Sequence, residues 1–221
     1  LKAPAGALDA IRRAPGVRAA FLEREGHVND GATLDAEGGL EASQNGGQDP
    51  ANLSAPLMMR TDQVAQKGEG KVIAVIDTGV DTTHQAFTGA LAGTPALTPQ
   101  KVAALSSQLG EGKPGVYISQ KFPFAYDYAD GDNDASPAGA HGTHVAGITA
   151  ANGSQIMGIA PDAQIIVGKV ARGRGGIPDS ALLAALGPLP YDVVIHDILR
   201  LDSTNIQPEE WRVLAAAVRR A

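Results

Sequence analysis

A chain of 221 residues, 43% hydrophobic and 19% charged, has the make-up of one medium-sized globular domain with a core of its own, or of one domain with a small appendage. The net charge of −6, without a run of five like charges, argues against nucleic acid as a partner, and the longest apolar runs, such as Val72–Ile76, are too short to span a bilayer. There is no cysteine, which excludes disulfides and thiolate metal sites and suits both the cytosol and secreted bacterial proteins.

Leu1-Lys2-Ala3 opens the chain with neither an initiator methionine nor a signal-peptide core, and reads as a processing boundary. Leu8–Arg13 has the pattern of a short helix, Pro15-Gly16 that of a turn, and Arg18–Leu22 that of a strand. Residues 29–55 are rich in Gly, Asn, Asp and Ser and predict an exposed linker open to proteolysis. After the turn Gly68-Glu69-Gly70, the run Lys71–Asp77 predicts a strand buried on both faces and closed by a charged residue. Residues 90–120 are polar and irregular, with one helix near 98–108. Gly142–Ala151 is small-residue helical sequence, stopped by Asn152-Gly153 as a C-cap, and Gln164–Val170 is a second buried strand. Alternating strands and helices predict an α/β fold with a mostly parallel sheet. Near the end, Pro208, Glu209, Glu210, Trp211, Leu214 and Val218 mark an amphipathic helix, with Arg219 and Arg220 complementing its C-terminal dipole.

Two residues carry chemistry. Asp77 closes a buried strand, the edge at which reacting groups gather in an open α/β sheet, although an aspartate followed by Thr78-Gly79 also suits an ordinary turn. His141 opens the helix His141-Gly142-Thr143-His144-Val145-Ala146-Gly147, in which Gly142 and Gly147 allow neighbouring backbone to approach. An imidazole held by a buried carboxylate takes one tautomer and leaves its other nitrogen to act as a base. His144 is read as a packed structural histidine. The HxxH spacing lacks the glutamate of a metalloprotease helix, so no metal ligand is assigned. Asp130, Asp132 and Asp134 alternate as calcium ligands do; a solvated acidic turn is the preferred reading, with structural calcium left open.

These segments resemble the subtilisin family of serine proteases. Val75-Ile76-Asp77-Thr78-Gly79-Val80-Asp81 with His84 is similar to its aspartate motif, and His141–Gly147 to its histidine motif. Gly158-Ile159-Ala160-Pro161 and the strand to Val170 are similar to the family's next segment, in the chain order Asp before His. The resemblance covers about 60–177 and implies a partial subtilisin-like three-layer fold, with Asp77 orienting His141 as general base. It also implies that Gly175 and Gly176 lie on the strand that pairs with the substrate backbone, and that the chemistry needs no cofactor. Tyr126–Asp134 and the insertion before it resemble the cell-envelope branch, which implies a secreted or cell-envelope bacterial protein. Residues 1–30 resemble the end of an inhibitory propeptide acting in cis, with a polypeptide as the substrate.

The resemblance stops short of the nucleophile. No oxyanion-hole asparagine and no Gly-Thr-Ser-Met segment comes after it; Ser203 and Ser154 are both rejected for want of the flanking small residues or oxyanion donors. Residues 182–190, His196–Asn205 and Pro208–Trp211 instead resemble an N-terminal stretch of bacterial L-asparaginases, without either threonine motif of that chemistry. A fusion, a misassembled reading frame or a designed chimera would each account for a junction near 178–181. The domain reading is therefore 1–30 propeptide-like, 31–55 linker, 56–177 partial catalytic domain and 178–221 divergent tail. The leading function is a serine endopeptidase present in part. The alternatives are an inert or partner-binding fragment and an asparaginase-like amidohydrolase piece.

Overall fold

The computed structural model describes residues 4–15, 17, 20, 25–27, 60–108, 115–172, 176–186 and 191–195. A turn of 3-10 helix over Ala5–Ala7 leads into α1 (Leu8–Arg12), and β1 comes next at Glu25–His27. The strand predicted over Arg18–Leu22 falls mostly outside the described residues. The β-branched run becomes β2 (Val72–Asp77), six consecutive buried residues. It is followed by α2 (Pro99–Gln108), β3 (Phe124–Asp127), α3 (His141–Ala150), β4 (Gln164–Lys169), β5 (Gly176–Pro178), α4 (Asp179–Ala185) and β6 (Val193–Ile195).

The main sheet has the order β3-β4-β2-β6, and every pairing in it is parallel. Between their polar or charged ends its strands are apolar, because both faces are covered. Val75, Ala125, Ile165 and Val167 pack on one face with Ala146 and Ala150 of α3. Ala74, Ile76, Tyr126 and Ile166 pack on the other with Val102 of α2 and Ala181, Leu182 and Ala185 of α4. The result is the three-layer α/β architecture expected from the sequence. A separate two-stranded sheet pairs β1 antiparallel with β5.

The sheet does not stop at 177. α4 and β6 lie in the stretch that the sequence sets apart as a divergent tail, yet α4 contributes to the core and β6 pairs with Ile73–Val75 of β2. Asp192, just before β6, accepts from the backbone N–H of Val72 at 2.8 Å and meets Lys71 Nζ at 3.1 Å. The helix predicted at 208–220, with Trp211, lies outside the described residues.

Buried polar groups tie the connections to the sheet. Gln164 Oε1 accepts from Leu97 N, while its Nε2 donates to the carbonyls of Leu97 and Gln120, so the buried amide is satisfied at both ends. The buried Lys121 ammonium donates to the carbonyls of Pro161 and Ala163 at 2.8 Å each. The predicted Gly-type stop of α3 takes a different form. The helix ends at Ala151 in extended conformation, and the N–H groups of Asn152 and Gly153 both donate to Ala86 O, so tertiary hydrogen bonds end the helix there.

The two glycines of α3 differ. A Cβ at Gly142 would stand 2.2 Å from Gly79 O and 3.1 Å from Asp77 Cβ, whereas one at Gly147 meets nothing within 4 Å among the described residues. The close approach expected at both is found only at Gly142. Gly142→Ala is therefore expected to destabilise the chain by about 2–4 kcal/mol, and Gly147→Ala to stabilise it by about 0.5–1 kcal/mol, read from denaturant midpoints. Burial lowers the Lys121 ammonium from 10.5 to about 8, against an opposing field from Asp162. The folded value lies below the unfolded one, so between those pH values the unfolded chain holds the extra proton and stability rises with pH. That rise, about 3 kcal/mol over the window, should vanish in Lys121→Met when unfolding is compared at either end of the range.

Candidate active site

Asp77 ends β2 at the carboxyl edge of the sheet, and its side chain is 1% exposed. A carboxylate buried so deeply needs its charge answered by hydrogen-bond donors. Thr78 N donates to Oδ1 at 2.6 Å, and His141 Nδ1 stands 2.9 Å from both Oδ1 and Oδ2. A carboxylate only accepts, so Nδ1 carries the proton and the ring takes the tautomer that leaves Nε2 basic. The His141 side chain is 14% exposed, which leaves the pair at the surface of the domain and within reach of a reactant.

The local sequence explains this meeting. After Asp77 the chain must turn at once, and Gly79 does so at φ +94°, where a Cβ would also press on Ala135 O at 2.6 Å. The loop before α3 is fastened to this turn, with Val80 N donating to Ala135 O and Ala138 N to Thr78 O. Gly142 N donates to Thr78 Oγ1 and Asp81 N to Thr143 Oγ1, so α3 begins against the end of β2. His84 closes the motif by accepting the Ala86 N–H on Nδ1, at the head of a 3-10 turn over Gln85–Phe87.

Asp77 and His141 are thus brought together as the sequence predicts. Gly176 is the first residue of β5, in the smaller sheet, where it pairs with His27 and accepts from Arg172 N; Gly175 lies outside the described residues, as does Ser203. His144, expected to be packed, is exposed, because α3 turns its other faces to the sheet. Ser154 is an exposed residue beyond the end of α3. The carboxylates of the acidic stretch are engaged by groups of the protein itself. Asp132 and Asp134 each accept a backbone N–H two residues on, Asp130 stands 3.4 Å from Arg172, and no cluster of three ligating side chains occurs among the described residues. Hydrogen bonds to Ser136 hold the Asp134 carboxyl below its ordinary value, and those to Thr83 do the same for Asp81.

Four participants escaped the sequence reading: Thr78, Thr143, Asp127 and Lys169. The threonines sit inside the two motifs, where their hydroxyls serve as acceptors across the loop–helix contact. Asp127 and Lys169 end strands β3 and β4 as Asp77 ends β2, and that shared position was the available signal.

Comparison with known proteins agrees with this geometry. The family model described as Peptidase_S8, Subtilase family, matches residues 68–194, more than half of the chain and past the point where the sequence sets the tail apart. The PII-type proteinase of Lacticaseibacillus paracasei is 35% identical over 129 residues, 54% of this chain and 7% of that protein. The C5a peptidase of Streptococcus pyogenes is 30% identical over 135 residues, 54% of this chain and 11% of that protein. The thermophilic serine proteinase of a Bacillus species (strain AK1) is 32% identical over 123 residues, covering 53% of this chain and 23% of the relative. The chain therefore spans less than a quarter of the length of each of these relatives. A buried strand ending on Asp77, a glycine-framed helix opening on His141 and a family match running through both lead to one conclusion: this chain belongs to the subtilase family.

Proposed function

We propose that this chain carries the aspartate–histidine half of a serine endopeptidase site whose substrate is a polypeptide. The observation that supports the reading most directly is the 2.9 Å contact of His141 Nδ1 with the buried Asp77 carboxylate. In such a site a serine hydroxyl attacks the scissile carbonyl carbon as His141 Nε2 takes its proton. Asp77 stabilises the imidazolium so formed, and His141 then returns the proton to the leaving amine. The serine and the backbone donors for the oxyanion have no recognisable counterpart within these 221 residues. No cofactor enters the reaction. A secreted or cell-envelope bacterial setting suits the absence of cysteine and the bacterial relatives.

The propeptide-like segment has a place in this reading. β1 runs antiparallel to β5 with Glu25 opposite Pro178, Gly26 opposite Ile177 and His27 opposite Gly176, as an extended peptide does when it adds to a strand edge. Residues 1–30 would then occupy in cis the strand on which a substrate backbone is expected to lie.

In subtilisin, loss of the serine alone lowers turnover by about 10⁶-fold, the residue of rate coming from the oxyanion hole and binding. The 221-residue chain should therefore neither cleave peptides nor react with a fluorophosphonate probe. Stoichiometric labelling mapped to any of its serines would overturn the reading. Deletion of residues 1–30 should speed amide hydrogen exchange at Ile177, whose polar groups face β1, by at least about tenfold while leaving β2 and β4 protected. Unchanged exchange would remove the N-terminal segment from the substrate strand.

A further inference from the structure

Three adjacent strands end on a charged residue in one register, Asp127 on β3, Lys169 on β4 and Asp77 on β2. Side chains alternate along a strand, and the residues two places earlier, Ala125, Val167 and Val75, all pack on the α3 face. The three charges therefore face α3, with Lys169 between two aspartates, one strand spacing of about 4.8 Å from each neighbouring strand. Asp77 is engaged by His141 and Thr78, and Lys169 turns to the other side. Its Nζ lies 2.8 Å from Asp127 Oδ2, with the side chains 12% and 1% exposed. Asp127 is itself fixed, since Oδ1 accepts from Ala129 N and Asp130 N at 2.8 and 3.0 Å. Burial opposes the charge on Lys169, but the hydrogen bond and field of Asp127, with Asp134 and Asp130, more than offset it and hold the ammonium above its ordinary value.

The same ammonium reaches Asp134 O at 3.4 Å, at the head of the loop that runs into His141. The residues just after Asp134 are those fastened to Thr78 and Val80. Lys169 thus holds the sheet-facing start of the one connection that sets where α3 begins.

We propose that Lys169, neutralised by Asp127, is a positioning residue for the Asp77–His141 pair, anchoring the loop that delivers His141 without adding net positive charge beside the imidazole. This rests on the reading of that pair as the base assembly of the site. Among the described residues, charged and titratable groups on the elements that surround His141 include Asp77 on β2, Lys169 on β4, Asp127 on β3, Asp134 in the loop before α3, Asp81 in the loop after β2, and His144 on its own helix.

The test is proton NMR of the 221-residue chain, following the low-field Nδ1 proton of His141 and the pH midpoint of its ring signals. Lys169→Met removes the positive charge on this edge of the sheet, so the midpoint should rise. Asp127→Asn leaves the ammonium without its carboxylate, so it should fall, each by about half a pH unit. Lys169→Arg should restore both readouts. The double variant Lys169→Met/Asp127→Asn orphans no buried charge and serves where a single variant does not fold. Its midpoint should return toward the parent value while the low-field proton weakens as the loop loosens. A purely structural pair would lower the melting temperature without these opposed shifts. Shifts of the same sign, or an unchanged midpoint and low-field proton in the double variant, would overturn the proposal while Asp77→Asn still abolished the signal. If Asp77→Asn changed neither readout, the pair itself would be misread and the proposal would fall with it.

Discussion

A carboxylate at the end of a fully buried strand must be answered by donors within hydrogen-bond range, and most of the local architecture comes from meeting that demand at Asp77. One donor comes from the next residue, Thr78 N, and the other from His141, 64 residues later. Bringing His141 there requires α3 to start hard against the turn after β2, and that contact leaves no room for a Cβ at Gly142 or Gly79. The turn and the loop before α3 then satisfy one another's backbone groups, so the imidazole is placed by a set of short contacts that all converge on one carboxylate. Removing any one of them loosens a constraint that the others share.

The features legible in the sequence are those that depend on near neighbours along the chain. The β-branched run ending at Asp77 and the small-residue helix beginning at His141 are local patterns, and the parallel α/β sheet is a consequence of their alternation. The features that stayed hidden are set by partners distant in sequence. Asn152-Gly153 has the composition of a helix stop, but its N–H groups are claimed by Ala86 O, and Ala151 ends the helix instead. His144 shares a motif with His141 yet lies on an exposed face. Lys169 and Asp127 look like ordinary strand-end charges until the register places them side by side. α4 and β6 fall in the stretch set apart because its sequence resembles a different family, and what ties them to the sheet is packing and pairing with residues far away in the chain.

The charges at the carboxyl edge illustrate a division of labour within one surface. Asp77 spends its hydrogen-bonding capacity on an imidazole, while the equally buried Asp127 spends its own on two turn amides and an ammonium. Residues of the same type, two strands apart, therefore have different chemistry for reasons of geometry alone. A buried pair such as Asp127–Lys169 is weak ground for a stability argument, since desolvation offsets much of its attraction. Its value here lies in direction: it keeps a flexible cation pointed at one carbonyl and one carboxylate.

The strand order also has a kinetic side. β2 and β3 never touch; both are joined through β4, whose register partner for Val72 is Gln164, 92 residues away in sequence. During synthesis the apolar run of β2 and the strand β3 are therefore both made before β4, the strand that pairs with both of them. Closing a loop of that size carries its entropic cost before any ladder hydrogen bond repays it, the situation that slows parallel sheets relative to local hairpins. In the interval Val72–Ile76 is a contiguous β-prone segment with nothing to cover it, the kind of sequence that associates with copies of itself. The same placement of β4 that lines up Asp127, Lys169 and Asp77 thus leaves the β2 edge waiting for residues 164–169.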